Sequence, residues 1–227
     1  MTFTQVLKEL NSRKNEKNVA GMAHFGIKGG KMLGISVTEL RKLARRIKTD
    51  QKLAVELWKT GIHDGRILAS IIADHKQFSE ELMDDWVSDF DSWDICDQVC
   101  GNIFCYLPIT YRKTGEWVKS DKEFVRRTAF SSIAYLAVHD KKASDADLLK
   151  FFPLIEKYSG DERNFMRKSV NWALRQIGKR NLNLNKQALV LAHKLSNSKD
   201  KTERWIGKDA VKELESAAVK AKLSKQK

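Results

Sequence analysis

Three segments in the second half of the chain superpose at nearly constant spacing, and no other feature narrows the fold so far. Asp121–Ala129 aligns with Glu162–Val170 at an offset of 41 residues, and that segment with Thr202–Ala210 at an offset of 40. The superposed sets are Phe124, Phe165 and Trp205; Val125, Met166 and Ile206; Arg127, Lys168 and Lys208; and Ala129, Val170 and Ala210. The apolar members recur at the three- and four-residue steps of one helix face. Further helical stretches lie between the segments, at Asp145–Tyr158 (bent at Pro153) and at Asn185–Leu195. Ser131 stands one repeat before Trp172, so the repeat core demands no aromatic ring at that slot.

Two helices in each period of about 40 residues is the signature of HEAT-like repeats. A lone helix pair cannot bury its own apolar face, so pairs stack. The expected architecture is therefore all-α: HEAT-like repeats stacked into a curved solenoid with a concave basic groove. Two prolines in 227 residues suit such a chain, because proline interrupts helices. One repeat domain is expected over residues 1–217, followed by a Lys-rich, frayed tail at 218–227. A cation recurring at one repeat position would form a basic stripe along the array. The same residues would serve equally well as ion pairs between neighbouring repeats.

The net charge of +13 is lopsided. Residues 1–110 carry fifteen Lys and Arg against fifteen Asp and Glu, whereas residues 111–227 carry 27 against 14. An excess of this kind suits an anionic partner such as nucleic acid, held through counterion release, although a merely solvated basic surface has the same composition. The stretch Gln77–Tyr111 is the reverse. It has no Lys or Arg and eight acids, two of them in Ser92-Trp93-Asp94-Ile95-Cys96-Asp97. On a helix opened by Ser92, Trp93 and Asp97 stand four residues apart and share a face. Such a pair is either a packed indole beside a solvated acid, or a ring and a carboxylate turned toward a ligand.

The other helices of the first half follow from caps and breakers. They are expected at Met1–Ser12, at Lys14–His24 (ended by Phe25-Gly26-Ile27-Lys28-Gly29-Gly30), from Ser36 to Ile47, from Asp50 to Thr60, at Asp64–His75, after Ser79, and from Ser92 to Tyr106. No apolar run approaches the roughly 18 residues of a membrane span, and the N-terminal segment lacks the apolar core of a secretory signal, so a cytoplasmic protein is expected. Cys96, Cys100 and Cys105 are odd in number and lack C-x-x-C spacing or a nearby His. They read as small buried hydrophobes. The histidines show no ligand or triad spacing, and Gly29-Gly30 is no phosphate loop. Trp58, Trp86 and Trp117 read as core, as does Trp205 through its repeat slot. No metal or other cofactor is expected.

Met22-Ala23-His24-Phe25, Leu33-Gly34-Ile35-Ser36, Ser92–Asp97, Phe124–Ala129 and Asn171-Trp172-Ala173-Leu174-Arg175 occur in an order that resembles the HEAT-repeat DNA alkylation repair glycosylases of the AlkD type. The resemblance spans about residues 15–215. It implies a basic groove holding duplex DNA with alkylated bases, and release of purines alkylated at N3 or N7 without a metal or a covalent intermediate. A solenoid with such a groove works as a monomer, which is the expected state. By the same resemblance the family's aspartate falls on Asp97, the tryptophans lining the deoxyribose on Trp93 and Trp172, and a DNA-contacting arginine on Arg127. Arg126 and Lys168 are further DNA-binding candidates; of the adjacent Arg126 and Arg127, one is expected to face the neighbouring repeat and the other the groove. The family's tyrosine near the lesion falls on Phe25, which keeps the ring and loses the hydroxyl.

A purine alkylated at N3 or N7 is already cationic, so it leaves without a general acid. Positive charge then builds on the sugar, where a carboxylate and aromatic faces stabilise it. Two other functions fit the residues less fully: a weak or inactive relative that binds bent or branched DNA, and a protein-interaction scaffold.

Overall fold

Short polar side chains mark where the helices begin. Thr2, Asn15, Ser36, Asp50 and Ser79 in the first half, and Ser144, Asn181, Asp200 and Ser216 in the second, each accept a backbone N–H of the following first turn. The computed structural model describes residues 1–28 and 30–225. The chain forms two compact units, Met1–Leu107 and Pro108–Lys227. Gly29, part of the expected breaker after the second helix, lies outside the described residues, as do Gln226 and Lys227.

The first unit contains α1 (Phe3–Ser12), α2 (Glu16–His24), α3 (Val37–Ile47), α4 (Gln51–Lys59), α5 (His63–Ile72), α6 (Glu80–Ser88) and α7 (Trp93–Asn102). α5 packs against α3, α4 and α7, so α3, α5 and α7 form a row. Leu40, Leu43, Leu57, Leu68, Ile72 and Met83 are fully buried in its core. Trp58 and Trp86 stack at 3.8 Å between ring centroids, as buried as their spacing predicts. The helix expected from Ser92 to Tyr106 ends at Asn102. Ile103 leaves the helical region, and a separate 3-10 turn covers Phe104–Tyr106. Ser92 precedes α7 but makes no side-chain capping bond.

The second unit contains α8 (Thr110–Trp117), α9 (Glu123–His139), α10 (Asp145–Leu149), α11 (Phe152–Lys157), α12 (Asn164–Gly178), α13 (Leu182–Ser196), α14 (Lys201–Leu214) and α15 (Ala217–Ser224). The three superposed segments open α9, α12 and α14. α12 packs against both α9 and α14, and α13 against α14. Ala129, Val170 and Ala210 are buried, as are Met166 and Ile206, and the Phe124 and Phe165 rings meet at 5.8 Å. α13 and α14 approach backbone to backbone: a Cβ on Gly207 would sit 2.1 Å from the Ser196 nitrogen and 2.6 Å from the Ala192 oxygen.

Three expectations are corrected here. Pro153 breaks the helix rather than bending it, and sits in the first turn of α11, where its missing N–H costs nothing. Trp205 is 37% exposed, with the Arg167 guanidinium 4.9 Å above its ring. α14 is the last of the three superposed helices, so Trp205 lacks the following ring that Phe165 supplies to Phe124. The tail is helical, not frayed, as far as Ser224, because Val219 and Leu223 are buried. All three cysteines are buried.

Candidate functional site

The first unit gathers several of the segments singled out in the sequence around one cleft of about 560 Å³. Met22, Phe25, Ile27, Ile35 and Trp93 supply its apolar walls, with Asn18, Gly21 and Gly34 between them. Phe25 caps the C-terminus of α2 and is 67% exposed. Its carbonyl accepts the indole N–H of Trp93 at 3.1 Å, which fixes the ring at the mouth of α7. Gly34 has φ +74, and a Cβ there would lie 2.4 Å from the Asn15 oxygen, so only glycine lets the loop pass this close to α2. Asp97 is half-buried one turn beyond Trp93 on the same helix face and is not part of the cleft wall.

The loop that forms one wall has almost no regular structure, so its N–H groups need partners from elsewhere. Asp64, 1% exposed, accepts from Leu33 N at 2.7 Å and from Ile35 N at 2.6 Å. The His63 amide donates to the Lys31 carbonyl at 2.9 Å. The first turn of α5 therefore replaces a neighbouring strand.

No sequence signal singles out His63. It is 5% exposed, and its Nε2 lies 3.0 Å from Asp94 Oδ2, next to Trp93. Burial alone would push the imidazole down, but the hydrogen bond and charge of Asp94, with Asp64 and Asp91 nearby, hold it above its ordinary value. Asp94 is correspondingly held below the usual carboxylate range: burial opposes this, and the bond and charge of His63 outweigh it. Arg66 on α5 answers part of the acidic stretch. It donates to the Asp89 carbonyl at 2.9 Å, pairs with the Asp89 carboxylate at 3.2 Å, and covers the Trp58 ring. The acids between Glu80 and Asp91 are thus not all turned to solvent alone.

In the second unit, Arg126 pairs with Asp161 at 2.8 Å and with Asp121 at 3.1 Å, linking the approaches to α9 and α12. Arg127 is 5% exposed and donates to the Phe165 carbonyl. Both arginines reach the next repeat, where one was expected to point away from it. Lys168 and Lys208, in the slot of Arg127, are exposed. The repeat alignment therefore equates three cations that differ in burial. Trp172 is half-buried on α12, edge-on to Tyr135 at 5.0 Å, while Ser131 in its earlier slot is fully buried. Asn171 beside it donates to Asp209 at 2.6 Å.

Over residues 6–214 the chain matches the family described as DNA alkylation repair enzyme. It belongs to that family. This DNA alkylation repair chain superposes with a TM-score of 0.79 and 21% identity on a solved structure described as "A new family of proteins related to the HEAT-like repeat DNA glycosylases with affinity for branched DNA structures", covering 94% of this chain and 95% of that one. That likeness shows the all-α HEAT-like repeat fold. An engineered protein (12% identity, 80% of this chain and 86% of that one, TM-score 0.47) and a designed armadillo repeat protein (14%, 78% and 92%, 0.40) superpose more loosely. No curated protein matches. Among the described residues of the alkylation repair chain, no three His, Cys, Asp or Glu side chains cluster as a metal site, and no helix is long and apolar enough to cross a membrane.

Proposed function

We propose that this DNA alkylation repair protein hydrolyses the N-glycosidic bond of purines made cationic by alkylation at N3 or N7, in duplex DNA. The observation that carries the reading is the pairing of Trp93 and Asp97 on one face of α7, beside an apolar cleft, in a chain of this family. Asp94 pairs with His63. The family resemblance assigns Asp97 to the sugar. There it stabilises the oxocarbenium-like centre and orients or deprotonates the attacking water. Trp93, its N–H already engaged by Phe25, presents its ring face, worth about 0.5–2 kcal/mol toward a developing cation. Trp172 is the second such ring on this reading. Arg126, Arg127 and Lys168 contribute to backbone binding, Lys168 directly and the two buried or paired arginines through the repeat they brace. A neutral base lacks the leaving-group charge these groups rely on, so uracil and ordinary purines stay in place. The protein works as a monomer in the cytoplasm, without a cofactor.

The second reading is a catalytically weak protein that binds branched DNA. It is favoured by the affinity for branched DNA stated for the structure of similar fold, and by the absence of a hydroxyl on Phe25. One experiment separates the two: base release from a duplex carrying N7-methylguanine, with wild type beside Asp97→Asn, and binding of both proteins to that duplex and to a four-way junction. Release by wild type alone, with the variant's DNA affinity equal or higher, is expected. No release by either protein, with tighter binding to the junction, would replace the first reading by the second. No release and no DNA binding would point to a protein scaffold.

A further inference from the structure

The first half of the chain has no excess charge, yet its cations are unevenly answered. α3 carries Arg41, Lys42, Arg45 and Arg46, and Lys48 forms its C-terminal cap. Lys42 pairs with Glu39 at 2.6 Å and Arg46 with Glu9 at 3.0 Å. Among the described residues no carboxylate lies within ion-pair distance of Arg41, Arg45 or Lys48. These same three cations, with Thr49, line a cleft of about 420 Å³ backed by Ala44 and by Ile71 of α5. Arg41 also donates to Gln98 Oε1 at 3.4 Å and Asn102 Oδ1 at 3.3 Å. Both partners are on α7, the helix of Trp93 and Asp97.

Lys48 carries a second, independent signal. Its φ is +68 and its ψ −162, and no other non-glycine among the described residues has positive φ. Cations in the last turn of a helix are favoured by its dipole, which accounts for Arg45 and Arg46 alike. The dipole does not account for lysine at a cap whose backbone suits glycine. Residues kept in such conformations cluster where a ligand is held.

We propose that Arg41, Arg45 and Lys48 form a phosphate-binding site for the nucleic-acid backbone, on the half of the chain whose composition gave no sign of one. Arg45 can offer two parallel N–H donors to phosphate oxygens, Arg41 adds the donors that its bonds to α7 leave over, and the lysine adds a compact charge. No aromatic ring lines the cleft, so it suits a backbone phosphodiester and offers a nucleotide's base nothing to stack on. The site rests on the reading that the protein binds DNA, and is indifferent to whether it cleaves a glycosidic bond.

The test is the salt dependence of duplex binding for wild type, Arg45→Gln, Lys48→Gly and the control Arg46→Gln. The control removes the same charge one position away, from an arginine already paired with Glu9. Losing one phosphate contact on B-DNA lowers the slope of log K against log salt by about 0.9. Arg45→Gln and Lys48→Gly are each expected to show that drop and several-fold weaker binding, with Arg46→Gln like wild type. Lys48→Gly should weaken binding while its Tm holds or rises. Equal losses in Arg46→Gln and Arg45→Gln, or unchanged slopes in Arg45→Gln and Lys48→Gly, would overturn the site while leaving DNA binding intact. A wild type that binds no DNA at any salt would overturn the DNA-binding reading, and the site with it. Protection of wild type by millimolar inorganic phosphate in thermal melts, absent in Arg45→Gln and without any change in DNA slope, would reassign the cleft to free phosphate and overturn the backbone proposal.

Discussion

Nε2 of His63 lies 3.0 Å from Oδ2 of Asp94, so the first turn of α5 grips the first turn of α7 one residue after Trp93. His63 is buried and Asp94 half-buried, and removing one partner of such a pair leaves the other charge poorly answered, at a cost of up to about 3 kcal/mol.

The sign of its pH dependence follows from the two shifts. His63 is held above its ordinary value, so its contribution is complete below the unfolded value of about 6.5 and is lost as pH rises through the folded one. Asp94 is held low, so its contribution is present above the unfolded carboxylate value of about 3.9 and fades on acidification through its folded value. Denaturant melts of His63→Ala against wild type should show a penalty of up to about 3 kcal/mol near pH 6 that shrinks near pH 9. A penalty independent of pH would mean that His63 acts by packing alone.

Trp93→Phe keeps an aromatic wall in the cleft and removes the donor to the Phe25 carbonyl. A net loss of about 1 kcal/mol is expected, with faster amide exchange in the last turn of α2. Unchanged exchange at residues 22–28 would show that the indole does not hold that turn.

Two helical glycines should respond in opposite ways to alanine. Gly21 in α2 has nothing within 4 Å of a built Cβ, so Gly21→Ala should stabilise by about 0.5–1 kcal/mol. In Gly207→Ala the methyl meets backbone of α13 that cannot step aside, and a loss of about 3 kcal/mol is expected. Thermal melts of the two variants should fall on either side of wild type, and melts that coincide would contradict the close approach of α13 and α14.

The thiols should be inert in the native protein. Cys96 and Cys100 are fully buried, and burial pushes the Cys105 thiol up to about 12, against the opposing bond from its own backbone. Iodoacetamide near pH 8 should modify none of the three until denaturant is added. Stoichiometric labelling under native conditions would refute this.

What the sequence made legible was periodic or local. The 40-residue repeat became α9, α12 and α14, and the caps at Ser36, Asp50 and Ser79 opened helices where their residue types said they would. Trp58, Trp86 and Trp117 are core because apolar neighbours at helical spacing declare a buried face. The contacts that shape the cleft were illegible for the opposite reason. His63 reaches Asp94, and Asp64 reaches Leu33, across 31 residues of chain, and no period connects such positions. The repeat alignment also could not foresee an end effect: it equates Trp205 with Phe124 and Phe165 without recording which copy has a neighbour to cover it. It likewise equates buried Arg127 with exposed Lys168. Phe25, Trp93 and Asp97 are singled out by the family pattern of the segments, whereas nothing in the sequence singles out Arg41, Arg45 and Lys48, because a charge-neutral half offers no excess to notice.

His63 and Asp64 are adjacent in the chain and reach opposite ways, one to the helix that carries Trp93 and the other to the loop that carries Ile35. The Trp93 and Ile35 walls of the cleft therefore hang from a single turn of α5, like two shelves on one bracket. Neither can swing outward without dragging its counterpart, so the gap between them is set before anything enters. Occupants of increasing bulk should meet an abrupt cutoff instead of a gradual loss of fit.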